Sequence, residues 1–453
     1  MDTPTTKKRI LILGGGFGGA YAAVHLEKRM AGDSDIELVL AAKENFLLFT
    51  PMLHEVAGSD VEVTDVVQPL RKMLRHTRVV IADVESIDFA KKQVCFFRTD
   101  LNRTFDVPYD QLVVAVGSVP NFYHIPGLEE HALTMKTLGD AILVRNRVID
   151  ALEVADNQAN EIDQRTSLTV VVAGGGFAGV ETVGAINDLF REAMKLYHRL
   201  TEDMLRIVLV DRGDLILPEL GEGLGRYAEQ QLSRRGVEIR LNSAVKSYNG
   251  DEVTFGDDTK IATRMLIWTA GITPAPFLSS LPCQLQRGRI VADEYLQVPS
   301  WPGVWTLGDC AQVPDVLSPG KFCPPTAQHA TRQAAVLAAN IQAAVRGGRL
   351  RPFKFKMLGL LATIGRRTGV AEILGLRFSG IFAWWLWRAI YLSKLPGLQK
   401  KARVAIDWIL DLIFSKDIVQ LPTLRLPMKT EEPSVVDAVK QVSTLIEPRR
   451  GAA

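Results

Sequence analysis

Cysteine is scarce in this chain, and what there is forms no pattern. Four cysteines, Cys95, Cys283, Cys310 and Cys323, occur in 453 residues with no CxxC or CxxxxC pair. That argues against a disulfide scaffold, a zinc ribbon and a dithiol redox motif. Nothing places the cysteines or the seven histidines as metal ligands, so no metal is expected. Charge of one sign is lacking too: 53 Lys and Arg stand against 51 Asp and Glu. There is no basic run of the length that nucleic acid binding favours, and nucleic acid is not an expected partner. No apolar run reaches the roughly 18 to 20 residues a spanning helix needs. The polar start, Met1 to Arg9, leads straight into a strand pattern rather than a signal peptide. A reduced cytoplasmic home without membrane crossing is expected.

What the sequence has in quantity is glycine after β-branched runs. Val170 to Glu181 reads Val-Val-Val-Ala-Gly-Gly-Gly-Phe-Ala-Gly-Val-Glu, a strand, a tight turn and a helix start. Gly174, Gly176 and Gly179 hold the GxGxxG spacing, in which the glycines permit the turn, the approach of a pyrophosphate and close helix–strand packing, with the helix N-terminus facing the phosphates. The same pattern occurs at Gly14, Gly16 and Gly19, 174 − 14 = 160 positions earlier. The repetition continues. Each copy later closes on a strand feeding a glycine turn, Ala115-Val-Gly117 in the first and Ala270-Gly271 in the second. In the second copy the strand 206–210 ends in Asp211, placed to accept a hydrogen bond from a ribose 2′-hydroxyl and to repel a 2′-phosphate, which favours NADH over NADPH. In the first copy the matching position is Ala42, with Glu44 two residues on.

These features predict an α/β fold with two Rossmann-like dinucleotide-binding domains. The first is expected to span 1–140 and 285–350, with the second inserted as 141–284. Strands 237–240, 253–255 and 265–269 are expected to complete the second sheet. Val304 to Ala311 reads as a strand ending in Gly308-Asp309, and Thr326 to Val345 as an alanine-rich helix. Phe46 to Val56, around Thr50-Pro51, is an apolar loop that composition assigns to packing.

The region 351–420 differs. Phe378 to Leu392 is nearly all apolar, with Trp384, Trp385 and Trp387 clustered. Arg403, Asp407 and Asp411 then form a narrow polar stripe on a broad apolar face. Such helices lie in a membrane interface, and truncation near Pro352 is expected to release the protein. Residues 421–453 read as a loosely patterned, disordered tail.

The two glycine turns, Gly308-Asp309, Pro-Pro-Thr-Ala327-Gln328 opening a helix, and the aromatic C-terminal region together resemble the type II NADH:quinone oxidoreductases. These are single-subunit NADH dehydrogenases that do not pump protons. The match covers about residues 8 to 420. Its most specific pieces are Ala327-Gln328-His-Ala330, similar to the family's AQxAxQ quinone motif, and Ala362-Thr-Ile-Gly-Arg366 with the tryptophan-rich stretch beyond it. The motif's second glutamine falls on Arg332, with Gln333 one position later.

The resemblance implies FAD in the first domain, contacted around Gly14, Gly16, Phe17, Gly18, Gly19, Thr50, Pro51, Ala115, Gly117, Asp309 and Ala327. It implies NADH in the second, around Gly174, Gly176, Phe177, Gly179, Asp211 and Gly271. A membrane quinone would meet Ala327, Gln328 and Arg367. Glu181 matches the family's glutamate beside nicotinamide and flavin, where it orients the nicotinamide, assists proton delivery or only caps its helix. A homodimer, peripheral on the cytoplasmic face of the membrane, is implied as well. Three other readings share features with this one. They are a sulfide:quinone oxidoreductase using Cys310 and Cys323, an NADPH:naphthoquinone oxidoreductase, and an NADH-sensing flavoprotein module.

Overall fold

In the computed structural model, which describes residues 7–98 and 101–420, two parallel five-stranded sheets repeat one plan. The first runs in the order Val304–Thr306, Gln111–Val114, Lys8–Leu13, Ile36–Ala42, Arg78–Ile81. Its glycine-turn strand is central, and Ile10 to Leu13 are wholly buried, as a strand covered on both faces requires. The second runs Leu133–Thr134, Met265–Trp268, Thr169–Ala173, Arg206–Val210, Val237–Arg240. Its glycine-turn strand takes the same place between the same neighbours: Leu13 pairs with Val114 and Ala41, Ala173 with Trp268 and Val210.

The domain boundaries differ by a few residues from those expected. Leu133 and Thr134 pair with Ile267 and Trp268, so the second sheet begins before 141. The first domain resumes before 285, because Leu278 and Leu281 pack in its core with Leu11, Leu13 and Val114. The physical reason lies in the connectors. Ser118–Pro120, leaving the first sheet, pairs antiparallel with Ile272–Pro274, leaving the second, and this two-stranded strap is where the chain crosses. A second correction concerns 253–255. Glu252–Phe255 joins Val245–Tyr248 and Lys260–Ala262 in a separate antiparallel sheet, so it is not part of the parallel one. Short apolar runs do not reveal which sheet they enter.

The C-terminal region opens with an antiparallel sheet, Gly359–Thr363, Gly369–Ile373 and Leu376–Ser379, followed by helices Gly380–Lys394 and Leu398–Ile413. Its first strand lies against the helix Phe177–Met194 of the second glycine turn. A Cβ at Gly184 would stand 2.6 Å from the Gly365 nitrogen, so only glycine allows this approach. The expected disordered tail, 421–453, lies outside the described residues.

Candidate active site

Both glycine turns have the geometry that a dinucleotide needs. Gly14 and Gly174 sit at φ +110° and +120°, and a Cβ at Gly19 or Gly179 would stand 1.9 or 1.8 Å from the carbonyl oxygen of Gly14 or Gly174. Each helix therefore starts hard against its own turn. Gly16 and Gly176, by contrast, face open space with nothing within 4 Å, as does Gly117 at the end of the neighbouring strand. These openings are cradles that side chains would fill, beside helix N-termini that favour phosphate.

Around the first turn the chain gathers residues from distant stretches. The Phe17 ring meets Phe49 at 5.8 Å between centroids, and Phe49 meets Tyr391 at 6.2 Å. Thr50 and Pro51, which directly follow Phe49, open a short helical turn that continues as Leu53–Ala57. Asp309 lies on the turn after Val304–Thr306, its Oδ2 accepting from Ser118 Oγ at 2.7 Å with Lys136 Nζ 3.6 Å away. The Gly308 amide donates to Gln333 Oε1 at 2.9 Å. Gln333 is thus engaged in holding the Asp309 turn, while Arg332 lays its guanidinium 4.2 Å over the Phe355 ring.

At the second turn, Asp211 is fixed by backbone: Oδ2 accepts from the Gly175 amide and Oδ1 from Gly213, each at 2.6 Å. Gly271, at φ +110°, lies under the Tyr123 hydroxyl, 2.4 Å from where a Cβ would be. Phe177 is the first residue of the helix.

Glu181 occupies the second turn of that helix and is buried. Its Oε1 accepts from Trp387 Nε1 at 3.1 Å and from the Thr363 amide at 3.3 Å, and Oε2 lies 3.5 Å from His54 Nδ1. His54 Nε2 is 3.1 Å from Thr363 Oγ1, and the imidazole meets Trp387 edge-on at 5.3 Å. Burial pushes the Glu181 carboxyl up to about 8, against the pull of its two hydrogen bonds and with help from the Glu55 charge. Burial also drives His54 down to about 3, so that its ring is neutral. Glu55 is raised by burial as well, and accepts from Trp408 Nε1 at 2.5 Å. The raised Glu181 is a proton donor at neutral pH, beside a neutral imidazole.

Gln328 opens the helix Ala327–Arg346, with Thr326 as its cap. Its amide donates to the Gly359 carbonyl at 3.0 Å, while its Oε1 is buried without a partner. The strand Gly359–Thr363 therefore links Gln328 at its start to Glu181 and His54 at its end. Arg367 is not brought to Gln328. It lies beyond Thr363 on an exposed hairpin turn, at φ +62°.

The tryptophan cluster divides in two. Trp384 and Trp387 are buried against the core and only Trp385 faces outward. The stripe on Leu398–Ile413 runs along the flank of the buried face, from exposed Arg403, 3.6 Å from Asp65, through Asp407, which accepts from the Glu62 amide at 3.4 Å, to buried Asp411, 3.7 Å from Arg366. The opposite, exposed face is Ile406, Ile409, Leu410 and Ile413. The helix thus sets Val404, Trp408 and Asp411 against the protein and leaves a broad apolar face uncovered, suited to something other than water. No helix among the described residues is long and apolar enough to cross a membrane.

His54, Glu55, Thr363, Ser118 and Tyr123 are absent from the sequence-predicted set. The pair His54-Glu55 carries a signal that could have found it: two titratable residues inside an apolar loop. The thiols offer little for sulfide chemistry. Cys310 Sγ is buried against the Leu307 and Val114 carbonyls, and burial pushes Cys323 up to about 11, so neither is a ready thiolate.

Residues 8–334 match the pyridine nucleotide-disulphide oxidoreductase family and residues 357–417 the NDH2 C-terminal domain. The type II NADH:quinone oxidoreductase Ndh of Mycobacterium tuberculosis is 30% identical over 429 residues, covering 91% of this chain and 90% of that protein. The demethylphylloquinone reductase NdbB of Synechocystis is 30% identical over 410 residues, covering 89% and 96%. Among solved structures, NDH2 from Plasmodium falciparum in complex with NADH superposes with a TM-score of 0.85 at 20% identity, covering 91% of this chain and 100% of that one.

Proposed function

The chain belongs to the type II NADH:quinone oxidoreductases, and from that premise we propose that it carries two electrons from NADH through FAD to a membrane quinone without pumping protons. The observation that supports this best is the convergence on Glu181. A run of ring contacts, Phe17 to Phe49 to Tyr391 to Trp387, leads from the first glycine turn to a carboxyl on the helix of the second. Two nucleotide sites and a C-terminal region with an outward apolar face share one buried centre.

FAD, when bound, supplies the two-electron chemistry. The chain's own residues bind and orient. Gly14, Gly16 and Gly19 would present the helix N-terminus to the pyrophosphate of FAD, Gly117 would leave room for the cofactor, and Asp309 would hold its ribityl hydroxyls. Gly174, Gly176 and Gly179 would repeat the task for NADH, and Asp211 would accept from its adenosine ribose. Gln328 uses one amide N–H on Gly359 and has a second for a quinone carbonyl. Glu181, protonated at neutral pH, donates toward the reduced quinone. The apolar face at Ile406, Ile409 and Ile413 rests on the cytoplasmic side of the bilayer.

Steady turnover is the test. Purified protein should oxidise NADH with a water-soluble quinone in equal amounts. Binding of NADH without turnover would leave only a sensor.

The Glu181 carboxyl adds a pH signature. Below about 8 it carries the proton, so quinone reduction should be flat there and fall as pH rises through that value. In Glu181→Gln this alkaline limb should vanish along with about 10²-fold of the rate, the lower range for general acid catalysis. A limb unchanged in the variant would assign the titration elsewhere. Because the folded pKa lies above the ordinary 4.5, the same group also makes stability decline as pH climbs from 4.5 to about 8.

A further inference from the structure

Reduction of quinone by NADH needs a proton that NADH does not bring. The balance is NADH + H⁺ + quinone → NAD⁺ + quinol: the hydride carries both electrons and one proton, and the second proton comes from water. Glu181 is buried, so having given up a proton it must be resupplied through the protein.

A polar cavity of about 20 Å³ adjoins this centre, lined by His54, Glu55, Asp60, Thr363, Arg366 and Arg388 among others. That is room for about one water, and its walls offer the polar partners a buried water requires. Two groups on its wall are incompletely satisfied: Arg366 Nε and Arg388 Nε are buried without hydrogen-bond partners. Between this cavity and Glu181 stands one side chain with two ring nitrogens. His54 turns Nε2 to Thr363 Oγ1, at 3.1 Å on the cavity wall, and Nδ1 to Glu181 Oε2, at 3.5 Å.

We propose that His54 is the conduit for this proton, relaying it from cavity water through Thr363 to Glu181. The inference rests on the functional reading above. In one passage, a proton reaching the cavity water from solvent moves on to Thr363 Oγ1 as the hydroxyl's own proton passes to His54 Nε2, and the water is left neutral. The Nδ1 proton leaves to the Glu181 carboxylate, which is thereby neutralised and ready to donate to quinone oxygen. The imidazole ends as the other tautomer, with its proton on Nε2, and the starting tautomer returns between turnovers by proton exchange with water at the two ring nitrogens. It carries no net charge before or after, which suits a site that holds it neutral. The 3.5 Å separation is of the kind that tightens when substrate is bound.

The charged groups facing the relay come from every element packed on it. Glu55 and Asp60 belong to its own stretch, Glu181 and Asp188 to the second-turn helix, Arg366 to the C-terminal hairpin and Arg388 to the tryptophan helix. Asp411 and Lys416 lie next to these, Lys416 paired with Asp60 at 2.5 Å, and Tyr391 faces Glu181.

The test uses His54→Phe in the full-length holoenzyme, which keeps a ring against Trp387 and removes both nitrogens, and Thr363→Val, which removes only the hydroxyl. Retained flavin and normal bleaching by NADH show that the two nucleotide sites are intact. Recovery of flavin colour on adding a soluble quinone should then slow at least about tenfold in either variant, with an enlarged solvent deuterium isotope effect. A second readout needs no turnover. The infrared band of the protonated Glu181 carboxyl, identified by its loss in Glu181→Gln, should exchange in D₂O more slowly in His54→Phe and Thr363→Val than in the native protein. Native rates of colour recovery and of band exchange in both variants would overturn the relay. Should native protein fail to bleach with NADH, the functional reading falls, while band exchange still decides whether His54 conducts protons. If His54→Phe loses flavin, Thr363→Val decides by the same measurements.

Discussion

A protein carrying Gly179→Ala should keep its flavin colour and fail to bleach with NADH. The added Cβ would lie 1.8 Å from the Gly174 carbonyl oxygen and 2.8 Å from Thr269 Oγ1, and the first of these is backbone that cannot turn aside. The helix Phe177–Met194 has to back away from its strand, carrying its N-terminus from the pyrophosphate and Glu181 from Trp387. A displacement of about 1 Å costs on the order of 10²-fold in rate, so at least that loss is expected in flavin bleaching. Gly19→Ala makes the matching clash, 1.9 Å from the Gly14 oxygen, and should give colourless protein. The paired outcome assigns the first copy to FAD and the second to NADH. Flavin lost from Gly179→Ala but kept by Gly19→Ala would reverse the assignment.

Replacing Ile406, Ile409 and Ile413 together by Glu should release the protein from lipid vesicles while turnover with a water-soluble quinone persists. All three are more than half exposed and lie on the face of Leu398–Ile413 opposite buried Val404, Trp408 and Asp411. Burying three such side chains in an apolar phase stabilises by roughly 4–9 kcal/mol, or on the order of a thousandfold or more in partitioning. Binding that survives all three substitutions would place the membrane contact on another surface. Truncation near Pro352 does not separate these effects. It removes Thr363, Trp387 and Trp408, which bond Glu181 and Glu55, and so damages the centre as well as the anchor.

Some of this was legible in the sequence. Apolar runs ending in spaced glycines announce strand, turn and helix because few other local structures need glycine at those spacings, and the duplication of the plan follows from finding them twice. Asp211 and Asp309 were legible as residues that end such strands. The roles of His54 and Glu55 were not: two titratable residues stand out in an apolar loop, but the partners that define them lie more than a hundred residues away. The stripe Arg403, Asp407 and Asp411 shows the same limit. Periodicity reveals that a helix has two faces, yet which face meets protein depends on Asp65, Glu62 and Arg366, supplied by distant segments. Trp384 and Trp387 turned inward for a related reason: Glu181 and Arg388 gave them polar and cationic partners in the core.

The central claim is that one buried centre joins NADH oxidation to quinone reduction. It is tested most directly by adding NADH to the purified protein without oxygen, following flavin absorbance, and then adding a quinone. One equivalent of NADH should bleach the flavin and one equivalent of quinone should restore its colour in full. Absence of flavin, or a flavin indifferent to both reagents, would contradict it.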